Sequence, residues 1–350
     1  MDIVTVGGVK NPYDCIIGSG VSSLLPEKIA SLTSAKKVLL ITDDNVDLLY
    51  GEKVKNLIEE GGFLCHKFVF PHGEEHKNLT TVSEILEFAA ENELSRSDLI
   101  VALGGGIVGD VAGFCASCFL RGIDYIQLPT TFLSAIDSSV GGKTGVNLNQ
   151  GKNLAGAFYQ PKAVICDTDF LSTLSPDIFM DGTAEAIKYG VIFDRELFDK
   201  FKTDFKADIS SIIKRCISLK AQIVKKDEFD KGERQLLNFG HTIGHAIEKC
   251  SDFKISHGKA VAIGMVMAAR GGAKMGLVKT DFSEEIASVN ALNRLPISAD
   301  FSAEVLLDAM LKDKKRSSDG ITLVIPEEIG NCKLFKISTG SLYEFIKSAI

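Results

Sequence analysis

Between residues 37 and 103 the chain alternates short apolar β-type runs with amphipathic stretches, and that alternation leaves few folds open. Lys37-Val-Leu-Leu-Ile-Thr42 reads as a strand, Leu48 to Glu60 as a helix, Lys67-Phe-Val-Phe70 as a strand, Thr80 to Glu91 as a helix, and Asp98-Leu-Ile-Val-Ala-Leu103 as a third strand. Strands joined by crossover helices run parallel, so the first half is expected to form a doubly wound, Rossmann-like sheet. From about Pro176 the pattern turns helical, with runs over Leu197 to Lys226, Leu236 to Lys249, Ala260 to Lys274 and Ala303 to Leu311. A late β-like pair, Ile321 to Ile325 and Cys332 to Phe335, is placed as a small hairpin on this part. The expected fold is α/β: a Rossmann-like parallel-sheet domain over residues 1–174 and a mainly α-helical domain over 175–350.

Composition narrows the function classes. With 45% hydrophobic and 24% charged residues over 350 positions, the chain can bury a large core in roughly two domains. A net charge of −7 and the lack of a long Lys/Arg run argue against nucleic acid or an anionic membrane as the main partner. The longest apolar run near the histidines, Ala260 to Ala269, falls short of the roughly 20 residues of a spanning helix. Met1-Asp2-Ile3-Val4 lacks the basic and apolar regions of a signal peptide, so a cytoplasmic chain is expected. Its eight cysteines are scattered, which suits reduced thiols; the one CxxC, Cys115 and Cys118, sits among small residues and reads as structural.

Gly104-Gly-Gly-Ile-Val-Gly-Asp110 follows the third of these strands and leads into the small-residue stretch Val111 to Ser117. Glycines let a backbone approach a pyrophosphate, and a helix N-terminus offers free N–H groups and a favourable dipole. The position departs from the usual order, in which such a turn follows the first strand; a ribose-binding acid would then come from an earlier strand end, where Asp43 and Asn45 stand. Further on come Leu128-Pro-Thr-Thr131, Asp137-Ser-Ser-Val-Gly-Gly-Lys143-Thr-Gly145 and Gly151-Lys152-Asn153. Gly-Lys-Thr resembles the end of a P-loop, but the earlier glycine is missing, which disfavours an NTPase. Glycine-supported lysines beside an Asp suit a phosphorylated, hydroxylated small molecule.

Three of the six histidines, His241, His245 and His257, lie within 17 residues. His241 and His245 are four apart, so on a helix both imidazoles project from one face, with His257 returning from the next turn or helix. Neutral imidazole suits a borderline cation such as Zn²⁺, and a catalytic zinc takes three protein ligands and leaves one position open. Thr242 stands where a zinc protease carries its general-base Glu, so peptide hydrolysis is disfavoured. Glu185, three residues before Lys188 in Ala184-Glu-Ala-Ile-Lys-Tyr-Gly190, is the candidate carboxylate ligand.

Taken in order, Gly104 to Asp110, Leu128 to Thr131, Asp137 to Thr144, Gly151 to Leu154, Glu185 to Gly190 and Asn238 to Glu248 resemble the 3-dehydroquinate synthase family over nearly the whole chain. The resemblance is to the stand-alone bacterial type, and it implies an N-terminal NAD⁺ domain, a helical C-terminal domain and a homodimer. It also implies the metal ligands Glu185, His241 and His257, with Zn²⁺ or Co²⁺ as the ion, and it moves His245 to the substrate phosphate. Asp43, Asn45, Glu74, Lys77, Gly105, Gly106, Asp110, Thr130, Thr131 and Thr173 match NAD⁺-contacting positions. Asp137, Lys143, Lys152, Asn153, Lys188, Lys220, Arg234, Asn238 and Lys314 match substrate-site positions, Lys143 and Lys152 being counted with the cofactor set as well. Arg121 matches an arginine that reaches into the neighbouring subunit's site.

The implied reaction converts 3-deoxy-D-arabino-heptulosonate 7-phosphate to 3-dehydroquinate and phosphate, in the shikimate pathway. A secondary alcohol is transiently oxidised by NAD⁺, phosphate is eliminated with its own oxygen taking the proton, the ketone is reduced again, and ring opening precedes an intramolecular aldol closure. Two positions depart from the family: Lys259 stands where Glu is usual, and Asp230 where Glu is usual. Other sugar phosphate cyclases, such as the aminodehydroquinate and 2-deoxy-scyllo-inosose synthases, share the metal set, and a metal-dependent polyol dehydrogenase would release NADH. Arg234 with Lys152 and Asn153 favours a substrate that carries an acid.

Overall fold

The computed structural model describes residues 1–313 and 320–350. The chain divides into two compact units, Met1–Leu174 with Ile213–Phe229, and Ser175–Ile212 with Asp230–Ile350.

The first unit is built on strands β1 (Asp2–Val6), β2 (Tyr13–Gly18), β3 (Lys37–Asp43), β4 (Leu64–Phe70), β5 (Leu99–Gly104), β6 (Asp124–Pro129), β7 (Lys143–Leu148), β8 (Gly151–Phe158) and β9 (Ala163–Asp167). Its helices are α1 (Leu25–Leu32), the single turn α2 (Asp44–Val46), α3 (Glu52–Glu60), α4 (Leu79–Glu91) and α5 (Gly106–Cys118). Seven strands form one sheet in the order β1-β2-β9-β6-β5-β3-β4. Only the β1–β2 pair is antiparallel, and every other neighbour is parallel.

A parallel sheet covered on both faces calls for continuous apolar runs, because alternate side chains enter opposite cores. β3 and β5 show this. Val38, Leu40, Leu99, Val101 and Leu103 pack with Leu25, Ile29, Val54 and Ile58 of α1 and α3. Leu39, Ile41, Ile100 and Ala102 pack on the other side with Ile85, Ala89, Val111, Ala112 and Cys115 of α4 and α5. Cys115 is therefore core, and all eight cysteines are free.

Three of the expected strands and both expected helices of residues 37–103 are present. The glycine turn follows the fifth strand of the chain rather than the third, because the β1–β2 hairpin precedes it. The segment with the glycine-supported lysines, for which no strand is expected from the sequence, is the antiparallel hairpin β7–β8, which carries Lys143, Lys152 and Asn153.

The second unit holds α6 (Pro176–Phe193), α7 (Arg195–Lys200), the start of α8 (Ile209–Lys226), α9 (His241–Cys250), α10 (His257–Lys274), α11 (Ser283–Leu292), α12 (Ala303–Asp313), the antiparallel hairpin β10 (Ile321–Glu328) and β11 (Asn331–Ile337), and α13 (Thr339–Ala349). The helical run expected over Leu197 to Lys226 is broken after α7, where Phe201 and Phe205 turn inward with their rings 4.7 Å apart. A cut after residue 174 does not describe the grouping either, because α8 from Ile213 belongs with the first unit. There Lys214 pairs with Asp2 at 2.6 Å, and Lys220 donates to the Asp137 carbonyl at 2.7 Å. Among the described residues no helix is long and apolar enough to cross a membrane.

The run expected over Leu236 to Lys249 is likewise interrupted: a 3₁₀ turn spans Glu233–Asn238, and Gly240, at φ 76°, starts α9 afresh at His241. α9 and α10 cross in near backbone contact. A Cβ on Gly264 would lie 2.0 Å from the Gly240 carbonyl oxygen, and one on Gly244 would lie 3.1 Å from the Ala260 carbonyl. Gly264→Ala is accordingly expected to destabilise the protein by about 3 kcal/mol, despite alanine's better helix propensity, because backbone must move. Urea unfolding would show it, and a midpoint equal to wild type would mean that the crossing can spread freely.

Candidate active site and metal centre

In the second unit, Ser175 caps the N-terminus of α6 and Pro176 opens it, so this helix presents Glu185 and Lys188 on one face. Both side chains are 1% exposed, with Lys188 Nζ 2.5 Å from Glu185 Oε2. The other carboxylate oxygen, Oε1, lies 3.2 Å from His241 Nε2 and 3.2 Å from His257 Nε2, at the first residues of α9 and α10. One ligand atom from each of Glu185, His241 and His257 falls within 4.8 Å of the others.

This arrangement fits a divalent cation. A tetrahedral ion with ligands at about 2.0–2.2 Å separates neighbouring ligand atoms by about 3.3–3.6 Å, close to the two 3.2 Å edges from Glu185 Oε1. The outer ring nitrogens are held as well: His241 Nδ1 lies 3.1 Å from the Phe239 carbonyl oxygen, and His257 Nδ1 3.3 Å from Glu248 Oε2. A proton on each Nδ1 leaves the Nε2 lone pair facing the centre. Burial pushes the Glu185 carboxyl up, yet Lys188 and the two imidazoles outweigh it and hold the group well below the usual carboxylate range. Burial pushes His257 down, but hydrogen bonds to Glu185 and Glu248 raise it to about 10. A pocket negative enough to hold that proton also attracts a metal ion in its place.

His245 stands one turn beyond His241 on the same face, their rings 5.5 Å apart, as the spacing required. It is exposed, and its Nε2 is 4.0 Å from Glu248 Oε2. A second cluster of His245, Glu248 and His257 is compact enough for an ion, but it competes for the same imidazole. The cluster around Glu185 is the better cage, because Glu248 already serves the outer nitrogen of His257. Glu248 is the residue that sequence reasoning passed over, although its offset of seven from His241 puts it on the same helical stripe. Arg234, on the turn before α9, is 2% exposed, while Asn238 on that turn is exposed. Lys314 lies outside the described residues.

In the first unit, Gly105 is the N-cap residue of α5. A Cβ on it would sit 3.1 Å from Thr131 Cγ2, so glycine keeps this helix N-terminus bare. Thr130 N–H donates to the Gly104 carbonyl at 2.9 Å, while the buried Thr130 hydroxyl has no hydrogen-bond partner among the described residues. An open N-terminus beside an orphaned hydroxyl suits a phosphate-bearing cofactor. Asp43 closes β3, caps α2 through the Val46 N–H at 2.9 Å, and is raised by its burial; Asn45 beside it is exposed.

Lys77 is 5% exposed and donates to Asp110 Oδ2 and to Asn153 Oδ1, each at 2.6 Å, which ties α5 to the β8 hairpin. Glu74 accepts from Asn147 at 2.8 Å, and Asn147 in turn accepts the Asn153 N–H at 2.9 Å. Asn147 had no sequence signal. Asp137 and Lys220 form an ion pair. Lys143 and Lys152 are exposed, and Thr173 is exposed with its hydroxyl 2.7 Å from that of Tyr50. Arg121 is not gathered with these residues. It follows the far end of α5, about 20 Å from the glycine turn by helix rise, and is exposed in a stretch where Leu120, Arg121 and Gly122 all have positive φ.

Comparison with known proteins first sets the class. The chain superposes over 100% of both chains, with a TM-score of 0.88 and 27% identity, on a 2-deoxy-scyllo-inosose synthase solved with carbaglucose-6-phosphate, NAD⁺ and Co²⁺. A 2-epi-5-epi-valiolone synthase from Streptomyces hygroscopicus, solved with NAD⁺ and Zn²⁺, gives a TM-score of 0.86 at 25% identity over 96% of this chain and 95% of that one. The fold is that of the sugar phosphate cyclases. Residues 67–181 match the family model for the 3-dehydroquinate synthase N-terminal part, and residues 182–316 the C-terminal part. A 3-dehydroquinate synthase of Clostridium acetobutylicum is 42% identical over 346 residues, 97% of each chain. The chain belongs to the 3-dehydroquinate synthase family, and it is a carbon–oxygen lyase acting on phosphates.

Removing one partner of the largely buried Lys77–Asp110 pair leaves a carboxylate poorly solvated. Lys77→Met is expected to cost about 2–3 kcal/mol of stability, below the loss for a fully buried pair because Asp110 keeps some exposure. The measurement is the urea midpoint, and an unchanged midpoint would mean that water solvates Asp110 without the lysine.

Proposed function

We propose that this chain converts 3-deoxy-D-arabino-heptulosonate 7-phosphate to 3-dehydroquinate and phosphate, with NAD⁺ held by the first unit and Zn²⁺ or Co²⁺ by Glu185, His241 and His257. The convergence of Glu185 Oε1 with the two Nε2 atoms carries the reading, in a chain 42% identical to a 3-dehydroquinate synthase over nearly its full length. The lower identity to the inosose synthase, 27%, disfavours that cyclase activity.

When bound, NAD⁺ supplies reversible hydride chemistry, and the divalent ion supplies a Lewis acid. Gly105, Gly106, Thr130, Thr131, Asp43, Asn45, Glu74, Lys77, Asp110 and Thr173 hold and orient the dinucleotide, Lys77 by bracing α5 against the β8 hairpin. Lys188 occupies Glu185 Oε2, so the carboxylate offers Oε1 alone to the centre. Phe239 and Glu248 fix the two imidazole rings. Arg234, Asn238, His245, Lys143, Lys152, Asn153, Lys220 and Lys314 bind the substrate's carboxylate, hydroxyls and phosphate. Their contribution is orientation of one reacting conformer and electrostatic support for the departing phosphate, whose own oxygen takes the proton from the adjacent carbon.

The exposed Arg121 completes the site of a second copy in a homodimer. The working compartment is the cytoplasm, and a chain of net charge −7 has neither nucleic acid nor membrane as its partner.

The test is phosphate release from the heptulosonate phosphate with Co²⁺ and catalytic NAD⁺, followed at the NADH absorbance. Stoichiometric phosphate without accumulated NADH is expected; accumulating NADH would identify a dehydrogenase, and turnover of glucose 6-phosphate instead would identify an inosose cyclase. Glu248→Gln is expected to weaken Co²⁺ binding about 10–100-fold by loosening His257, and wild-type affinity in that variant would remove Glu248 from the site.

A further inference from the structure

One face of α6 carries three carboxylates a turn apart, and each meets a successive residue at the start of α10. Glu185 reaches His257 Nε2 at 3.2 Å. Asp181 Oδ1 accepts from the Ser256 hydroxyl at 2.6 Å and from the Gly258 N–H at 3.1 Å. Asp177 pairs with Lys259 Nζ at 2.7 Å.

The middle contact is unusual in its division of labour. Ser256 is the N-cap residue of α10, yet its hydroxyl makes no capping bond to its own helix. The free N–H at the second helical position is satisfied instead by a carboxylate from another helix, where the helix dipole also favours negative charge. The backbones are packed to match: a Cβ on Gly258 would lie 2.3 Å from Asp181 Cα. His257 stands between the two residues that Asp181 grips, so its imidazole has little freedom to slide or turn relative to Glu185.

We propose that Asp181 is a positioning residue for the metal centre, a cap supplied in trans that sets the register of α10 against α6 and so delivers His257 Nε2 to Glu185 Oε1. This rests on the assignment of Glu185, His241 and His257 as ligands.

The experiment uses the full chain, stripped of metal and titrated with Co²⁺, with affinity and the visible Co²⁺ spectrum as readouts and urea unfolding as the control. Wild type must bind Co²⁺ and His257→Ala must lose it; failure of either overturns the ligand assignment itself. Given that, Asp181→Ala is expected to weaken Co²⁺ binding about tenfold and to alter the visible bands. Asp181→Asn, which keeps an acceptor oxygen at the same place, is expected to recover affinity to within about threefold. Asp177→Ala, which breaks only the half-exposed pair with Lys259 on the same two helices, is expected to bind as wild type. Wild-type affinity and spectrum in Asp181→Ala would overturn the proposal, as would equal losses in the Asn and Ala variants. Should Asp181→Ala not fold, Ser256→Ala removes one of the two grips, and an unchanged affinity there would overturn it equally.

Discussion

A carboxylate buried inside a helical unit must be neutralised, and Glu185 imposes that requirement on everything around it. Its two oxygens are shared out: one to Lys188 on its own helix, one to imidazoles arriving from two others. For both imidazoles to arrive, α9 and α10 must begin within a few ångströms of each other and of α6. That closeness explains why the chain spends glycine at 240, 244, 258 and 264, positions where a methyl group would strike a neighbouring main chain. The electrostatic demand of one side chain thereby fixes the packing distance of three helices.

The first unit answers a different constraint. Its sheet is apolar on both faces, so polar chemistry is expelled to strand ends and to the hairpin. Asp43, Gly105, Thr130 and Thr131 all sit where strands β3, β5 and β6 finish, the end at which parallel sheets generally bind their ligands. Lys77 and Lys220 reach inward, and each is matched by acceptors: Lys77 by Asp110 and Asn153, Lys220 by Asp137.

How much of this could be read from the residues follows from the same physics. β3 and β5 were legible because two-sided burial writes an uninterrupted apolar run. β1 is an edge strand with an alternating pattern, and β7 and β8 are rich in Gly, Asn and Lys, so neither announced itself. The break at Gly240 was hidden because a helical stripe reads through one glycine, and only the positive φ shows that α9 starts anew. Spacing placed His241 and His245 on one face, and they are there. It could not say which of them a carboxylate 56 residues upstream of His241 would meet, because that depends on how α6 crosses α9. The family resemblance supplied that choice, and Lys314 lies outside the described residues. Asp181 was invisible for a related reason, because its partners Ser256 and Gly258 lie on another helix, whereas Glu248 shared the stripe of His241 and only its partner His257 was hidden.

The matched intervals on α6 have an evolutionary corollary. Asp177, Asp181 and Glu185 repeat every four residues and face three consecutive residues of α10. A single inserted or deleted residue in this stretch would rotate one part of the stripe by about 100° against the other. Loss of the Asp181 cap and loss of the Glu185–His257 contact would then arrive in one mutational step. Length change in α6 should consequently be purged in this lineage even where substitution is tolerated, so that the helix behaves as a ruler whose divisions can be repainted but not moved.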